Sequence, residues 1–179
     1  MTPNEKSKIL SEALPYIKKF FGKTIVIKFG GNAMVDKKLK GSFAKDVVLL
    51  KLVGMNPVII HGGGPQINES LNKSGKKTIF EQGIRVTDQE TMGIVSKVLN
   101  DINKQIVGLI RENGGDARSY ISKDITGIIK AKKIQVKENT LDLGYVGEIE
   151  SINSSFMKNL SDEAVIPIIA PIGVGDDNK

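Results

Sequence analysis

The sequence predicts an α/β fold built on a mainly parallel sheet, and three observations carry that reading. Two β-rich runs, TIVIKF at residues 24–29 and VIIH at 58–61, each feed directly into glycines. The stretch between them, 38–53, places Phe43, Val47, Val48 and Leu50 on a helical period, so the three pieces read as a strand, a crossover helix and a second strand; such a crossover joins parallel strands. A further apolar run at 165–174, VIPIIAPIGV, supplies another buried strand.

The 179 residues suffice for one well-packed domain, and 40% hydrophobic with 26% charged residues is an ordinary globular composition. No cysteine is present, which excludes disulfides and thiolate zinc sites and makes a reducing cytoplasm the simplest home. With one histidine, His61, a histidine-rich metal site is excluded and no metal-ligating set stands out. The net charge of +6 raises the question of nucleic acid, but the lysines are scattered along helical segments without stacked aromatics or an RNA-binding signature; no nucleic-acid partner is expected. Such a surface favours small anionic substrates. No apolar run reaches membrane-spanning length, and the N-terminus lacks a signal-peptide core.

In chain order, residues 4–21 place Ile9, Leu10, Ala13, Leu14, Ile17, Phe20 and Phe21 on one helical face opposite lysines and Glu12. Pro15 lies inside this helix, where it removes one backbone bond, and a kink is expected. The helix either packs on its own domain or reaches another subunit. The strand at 24–29 ends in Lys28-Phe29-Gly30-Gly31, and the second strand delivers His61-Gly62-Gly63-Gly64. Strand ends of an open α/β sheet border the ligand crevice, so two glycine turns and a lysine share one edge. The glycines are expected to turn with positive φ and to admit close approach of a ligand, and the helix predicted over 65–74 starts there with unpaired N–H groups that favour anions. Neither turn matches the Walker loop or the dinucleotide fingerprint.

Short β-like pieces at 78–80 and 84–86 follow. Arg85 is one of only three arginines; a guanidinium is the fitted partner of a carboxylate, with a surface salt bridge as its plain alternative. Thr87-Asp88 reads as the cap of a helix over 89–112, whose stripe of Met92, Val95, Val98, Leu99, Ile102, Ile106, Leu109 and Ile110 is packing surface. The alternating segments RSYIS, GIIKAKKIQV and YVGEIESI, broken by Asp142-Leu143-Gly144, predict antiparallel strands or hairpins flanking the main sheet, before a short helix at 153–160.

Taken together, IVIKFGGNAM, VIIHGGGPQI, GIRVTD, DLGYVGEI and IPIIAPIG, in this order and spacing, resemble the amino acid kinase family and within it the acetylglutamate kinases of the arginine-inhibited type. The resemblance covers residues 4–179. It implies a three-layer α-β-α sandwich with a mainly parallel central sheet, an N-terminal half that binds N-acetyl-L-glutamate and a C-terminal half that binds ATP. The implied reaction uses ATP and Mg2+ to phosphorylate the side-chain carboxylate of N-acetyl-L-glutamate in arginine biosynthesis. By motif, Lys28 is the catalytic lysine that stabilises the transferring phosphoryl group, Gly30 and Gly31 contribute backbone beside it, Gly63 and Gly64 hold the substrate, and Arg85 clamps its α-carboxylate.

The resemblance also divides the chain into an oligomerisation helix, 1–23, and an N-acetylglutamate-binding domain, 24–179. The helix implies a homo-oligomer, a hexamer in the full-length protein, and the type implies arginine inhibition, although in the family the effector site also uses the C-terminal half. Two departures stand out. Ser119-Tyr120-Ile121-Ser122-Lys123-Asp124 replaces a glycine-containing loop, and the ATP-binding domain that follows the PIG strand in the family is absent. A truncated chain, inactive alone, is therefore expected. The rival readings are a non-catalytic binding or regulatory module, and another member of the family such as a glutamate or aspartate kinase.

Overall fold

In the computed structural model, described for residues 1–121, 128–134, 142–162 and 164–175, four parallel strands form the central sheet: β1 (Thr24–Phe29), β2 (Asn56–His61), β5 (Ala117–Tyr120) and β8 (Ile166–Ile169), in the order β1-β2-β8-β5. The register of the first pair runs from Thr24 opposite Asn56 to Phe29 opposite His61. A 3-10 turn (Gly31–Met34) and helix α2 (Lys37–Leu52) connect them. Helix α3 (Gly64–Lys73) leaves β2, a two-stranded antiparallel ribbon of β3 (Phe80–Glu81) and β4 (Ile84–Arg85) follows, and α4 (Gln89–Glu112) returns the chain to β5. β6 (Ile129–Lys133) and β7 (Gly147–Ile152) form an antiparallel hairpin, and α5 (Ser154–Asp162) leads into β8.

The layers follow from the apolar pattern. Phe29, Ile59, Ile166, Ile168 and Ala117 project from one sheet face onto Val47 and Val48 of α2 and Ile102, Ile106 and Ile110 of α4, with the Phe29 and Phe43 rings stacked 3.9 Å apart. The opposite face buries Val58, Tyr120 and Ile169 against Ile128 and, from α5, Phe156 and Leu160. β2 and β8, covered on both faces, are the strands that read as unbroken apolar runs. Each fully buried isoleucine there contributes about 2–3 kcal/mol. β1 alternates instead, with Val26 and Lys28 exposed.

One sequence expectation is corrected. The segment around RSYIS is not an antiparallel flank: β5 pairs parallel to β8 through Ala117–Ile166 to Tyr120–Ile169 and belongs to the main sheet. It reads as alternating because it is an edge strand, half covered, with Arg118 exposed. GIIKAKKIQV and YVGEIESI do form a hairpin. The positions Ser122, Lys123 and Asp124 of the departed loop lie outside the described residues.

The N-terminal helix α1 (Pro3–Phe20) continues through Pro15 as one helix and buries none of its residues. Its apolar face stays open, with Leu10 71% and Tyr16 66% exposed. A capping box fixes its start: Glu5 N–H donates to Thr2 Oγ1 and Thr2 N–H to Glu5 Oε2. Its C-terminal end is tied to the domain where Gly22 N–H donates to the Gly54 carbonyl at 2.7 Å. Among the described residues no helix is long and apolar enough to cross a membrane.

Candidate functional site

Parallel pairing puts the C-terminal ends of all four central strands on one edge, the edge where open α/β sheets hold ligands. There Gly62 N–H donates to the Phe29 carbonyl at 2.9 Å, so the turn after β2 is fastened directly beside the turn after β1. The structure thus brings Lys28, Gly30 and Gly31 next to Gly62, Gly63 and Gly64, as the two motifs predict. Lys28 is exposed and has no carboxylate partner among the described residues.

The second glycine turn works differently from the sequence expectation. Gly31 has φ +61°, but none of Gly62, Gly63 and Gly64 has positive φ. Gly63 has φ −176°, outside the left-handed region that favours glycine. What requires glycine is packing: a Cβ on Gly63 would sit 2.8 Å from Leu99 Cδ2 and 2.9 Å from Ile102 Cδ1, so α3 starts pressed against α4. Around Gly64 nothing lies within 4 Å of such an atom, and the backbone is open to a ligand.

Four helices close their first turn with their own side chain: Thr2 for α1, Asp36 for α2, Asp88 for α4 and Asn153 for α5. Among the described residues α3 alone begins on a residue without one, and no side-chain cap replaces it. Its first N–H groups and the positive end of its dipole are therefore left for something else. That is the chemistry of an anion site.

Arg85, at the end of β4, reaches the same helix. Its Nη2 donates to Asn68 Oδ1 at 2.6 Å, and its guanidinium carbon lies 4.9 Å from the centre of the Phe80 ring. Asn68 is about 6 Å along the axis from Gly64 at 1.5 Å per residue. Nη1 is buried and has no hydrogen-bond partner. Among the described residues no carboxylate pairs with Arg85, so the plain salt-bridge alternative is not what the structure contains. Burial lowers its pKa below the ordinary guanidinium value, yet a guanidinium stays charged. A half-buried cation with an orphaned N–H is costly alone and is matched by a carboxylate that accepts in the fork geometry.

The family model described as the amino acid kinase family matches residues 23–179. The chain belongs to the amino acid kinase family. Among curated relatives in this family, acetylglutamate kinase from Cupriavidus metallidurans is 55% identical across 100% of this chain and acetylglutamate kinase from Janthinobacterium sp. is 54% identical across 100%. The chain spans 60% and 62% of the length of these two relatives. In fold, it is similar to N-acetylglutamate synthase from Neisseria gonorrhoeae, a structure complexed with coenzyme A and N-acetyl-glutamate, with TM-score 0.81, 23% identity and coverage of 95% of this chain and 38% of that one. Carbamate kinase from Giardia lamblia, bound to AMP-PNP, is similar at TM-score 0.58 and 18% identity, over 86% of this chain and 58% of that one. The amino acid kinase fold is thus shared well beyond close sequence relatives.

Around this strand edge, sequence reasoning gave no structural role to three residues. Asn68 holds Arg85, but one polar residue on a helix gives no signal of its partner. Asn103 is fully buried and donates from Nδ2 to the Ile168 carbonyl at 3.0 Å; its place on a stripe with Leu99, Ile106, Val107 and Ile110 was the available signal. His61 is buried, with Nδ1 3.0 Å from the Gly62 carbonyl. A carbonyl only accepts, so this bond puts the proton on Nδ1 and leaves Nε2 a buried acceptor without a partner.

Burial pushes the His61 pKa below 6.5, outweighing the bond to Gly62, which raises it. Below pH ~6.5 the unfolded chain takes up a proton that the native histidine does not, so stability is expected to fall with pH there, with a slope of up to about 1.4 kcal/mol per unit. Denaturant unfolding of wild type and His61→Gln between pH 5 and 8, as about the range in which histidine titrates, checks this. The variant is expected to lose the slope.

Proposed function

We propose that this chain is the acid-binding part of an acetylglutamate kinase, which phosphorylates the side-chain carboxylate of N-acetyl-L-glutamate. The observation that carries this reading is the orphaned Arg85 Nη1 of a guanidinium whose Nη2 donates to Asn68, on the one helix among the described residues whose start has no side-chain cap. An amino-acid derivative with two carboxylates fits that arrangement: one meets the guanidinium, and the other lies toward the glycine turns, where oxygen charge is met by backbone N–H groups. The named relatives support the acetylated acid over free glutamate or aspartate.

ATP, as its magnesium complex, supplies the phosphoryl group when bound. The residues present fit the acceptor side of that chemistry. Lys28 is an exposed cation at the strand end, beside open backbone at Gly30 and Gly31 where no atom would lie within 4 Å of an added Cβ. Phosphoryl transfer chiefly needs positioning and charge neutralisation. In this reading Arg85 and the Gly63–Gly64 turn orient the acid, and Lys28 neutralises charge that builds on the transferring oxygens. The open apolar face of α1 supports assembly of the chain into a homo-oligomer through that helix.

The test is a calorimetric titration of the folded chain with N-acetyl-L-glutamate and, separately, L-glutamate. Saturable binding of the acetylated acid and much weaker binding of free glutamate is expected. Equal affinity for the two contradicts the acetylated substrate, and no binding of either contradicts the acid site.

A further inference from the structure

Arg85 can recognise a carboxylate only if its short ribbon is held still, and β3 and β4 are two residues each, paired to one another and, among the described residues, to no other strand. An isolated two-stranded ribbon is marginal at best in water. We propose that the segment 143–145 is a strut that fixes Arg85 in place, with Thr87 and Gly144 as its positioning residues. The proposal rests on the acid-binding reading of Arg85 given above.

The contacts form a continuous chain. Thr87 is buried, and its Oγ1 donates to the Arg85 carbonyl at 3.0 Å. Its own N–H donates to the Leu143 carbonyl at 2.9 Å, and its carbonyl accepts from Tyr145 N–H at 2.6 Å. Thr87 and Gly144 make a parallel bridge outside the named strands. Asp142 Oδ1 accepts from Gly144 N–H at 2.9 Å and an Asp142 oxygen lies 2.9 Å from Lys133 Nζ, which links the strut to β6. β6 is in turn bonded to the continuation of β8: Ala131 N–H donates to the Val174 carbonyl and Val174 N–H to the Ile129 carbonyl, both at 2.9 Å. Arg85 is thereby tied to the central sheet by a route that does not pass through its own ribbon.

Gly144 is the tightest point of this route. Its φ is +71°, and a Cβ there would overlap the Thr87 carbonyl. Any other residue has to push Thr87 away or leave the left-handed conformation. The role explains why a glycine stands at a site remote in sequence from both glycine turns at the sheet edge.

Amide hydrogen exchange of the wild type, Gly144→Ala, Thr87→Val and Thr87→Ser tests the strut. Residues 79–87 are expected to exchange about tenfold faster in Gly144→Ala and Thr87→Val, while α2 and α4 keep their protection. Thr87→Ser, which keeps the hydroxyl, is expected to restore wild-type exchange. Thr87→Val decides the matter if Gly144→Ala does not fold. Unchanged exchange at 79–87, or an equal rise in α2 and α4, overturns the proposal. Parallel titration with N-acetyl-L-glutamate is expected to show weaker binding by both loosened variants and recovery by Thr87→Ser. Wild-type chain that binds no acid defeats the reading of the site, while the exchange data still decide the strut.

Discussion

Replacing Arg85 by alanine is expected to weaken binding of N-acetyl-L-glutamate by about 2–3 kcal/mol, roughly 30- to 150-fold in Kd, the range of a charge-assisted pair that loses one partner. Calorimetry on the folded variant reads this directly. Arg85→Lys keeps the charge but loses the planar fork, so it is expected to recover only part of the affinity. The same substitutions are expected to cost less than about 1 kcal/mol of stability, because the loss of the bond from Nη2 to Asn68 and of the contact with the Phe80 ring is offset by shedding a buried N–H that has no acceptor. Binding and stability therefore separate at this residue. A loss of stability as large as the loss of binding contradicts the carboxylate-clamp role and makes Arg85 a packing residue.

Gly63→Ala is expected to destabilise the fold by about 1–3 kcal/mol, the range for added volume in a packed interior. The added methyl meets Leu99 and Ile102 of α4 at under 3 Å. Either those side chains leave their rotamers or the start of α3 moves outward. The second outcome carries the uncapped N–H groups with it, so acid affinity is expected to fall as well. Gly64→Ala, one residue on, places its methyl in open space and is expected to change stability by less than about 0.5 kcal/mol. Thermal or denaturant unfolding of the two variants side by side checks the contrast.

The parts of the fold legible in the sequence are those set by local pattern. β1, α2 and β2 follow from a run, a helical stripe and a second run, and α4 from a long stripe behind an Asp88 cap. β5 was read as a flank because a half-covered edge strand and an antiparallel strand show the same alternation; its parallel partner, β8, lies about fifty residues further on, and the register Ala117–Ile166 is a long-range fact. The helix at the N-terminus was legible as amphipathic, yet whether its face meets this domain depends on partners outside its own pattern.

The site divides in the same way. Lys28, Gly30, Gly31, Gly63, Gly64 and Arg85 are legible as candidates because residue type and motif position point to anion chemistry. The reason for glycine at position 63 was not visible: it is contact with Leu99 and Ile102, contributed by a helix that starts some twenty-five residues later in sequence. Asn68, Thr87 and Gly144 were invisible as supports of Arg85, since each acts through a backbone or side-chain bond that only the folded chain creates. His61 stood inside a motif read for its glycines, and its buried ring emerges only when β2 is covered on both faces.

The acid is expected to sit between Arg85 and the start of α3, and an amide-resolved nuclear magnetic resonance titration of the isotope-labelled chain with N-acetyl-L-glutamate locates it. The backbone signals of Gly63 and Gly64 and the guanidinium signal of Arg85 are expected to shift together and saturate at one concentration, with α1 unmoved. Saturable shifts confined to residues away from this edge of the sheet, with Arg85 and the α3 start unchanged, contradict it.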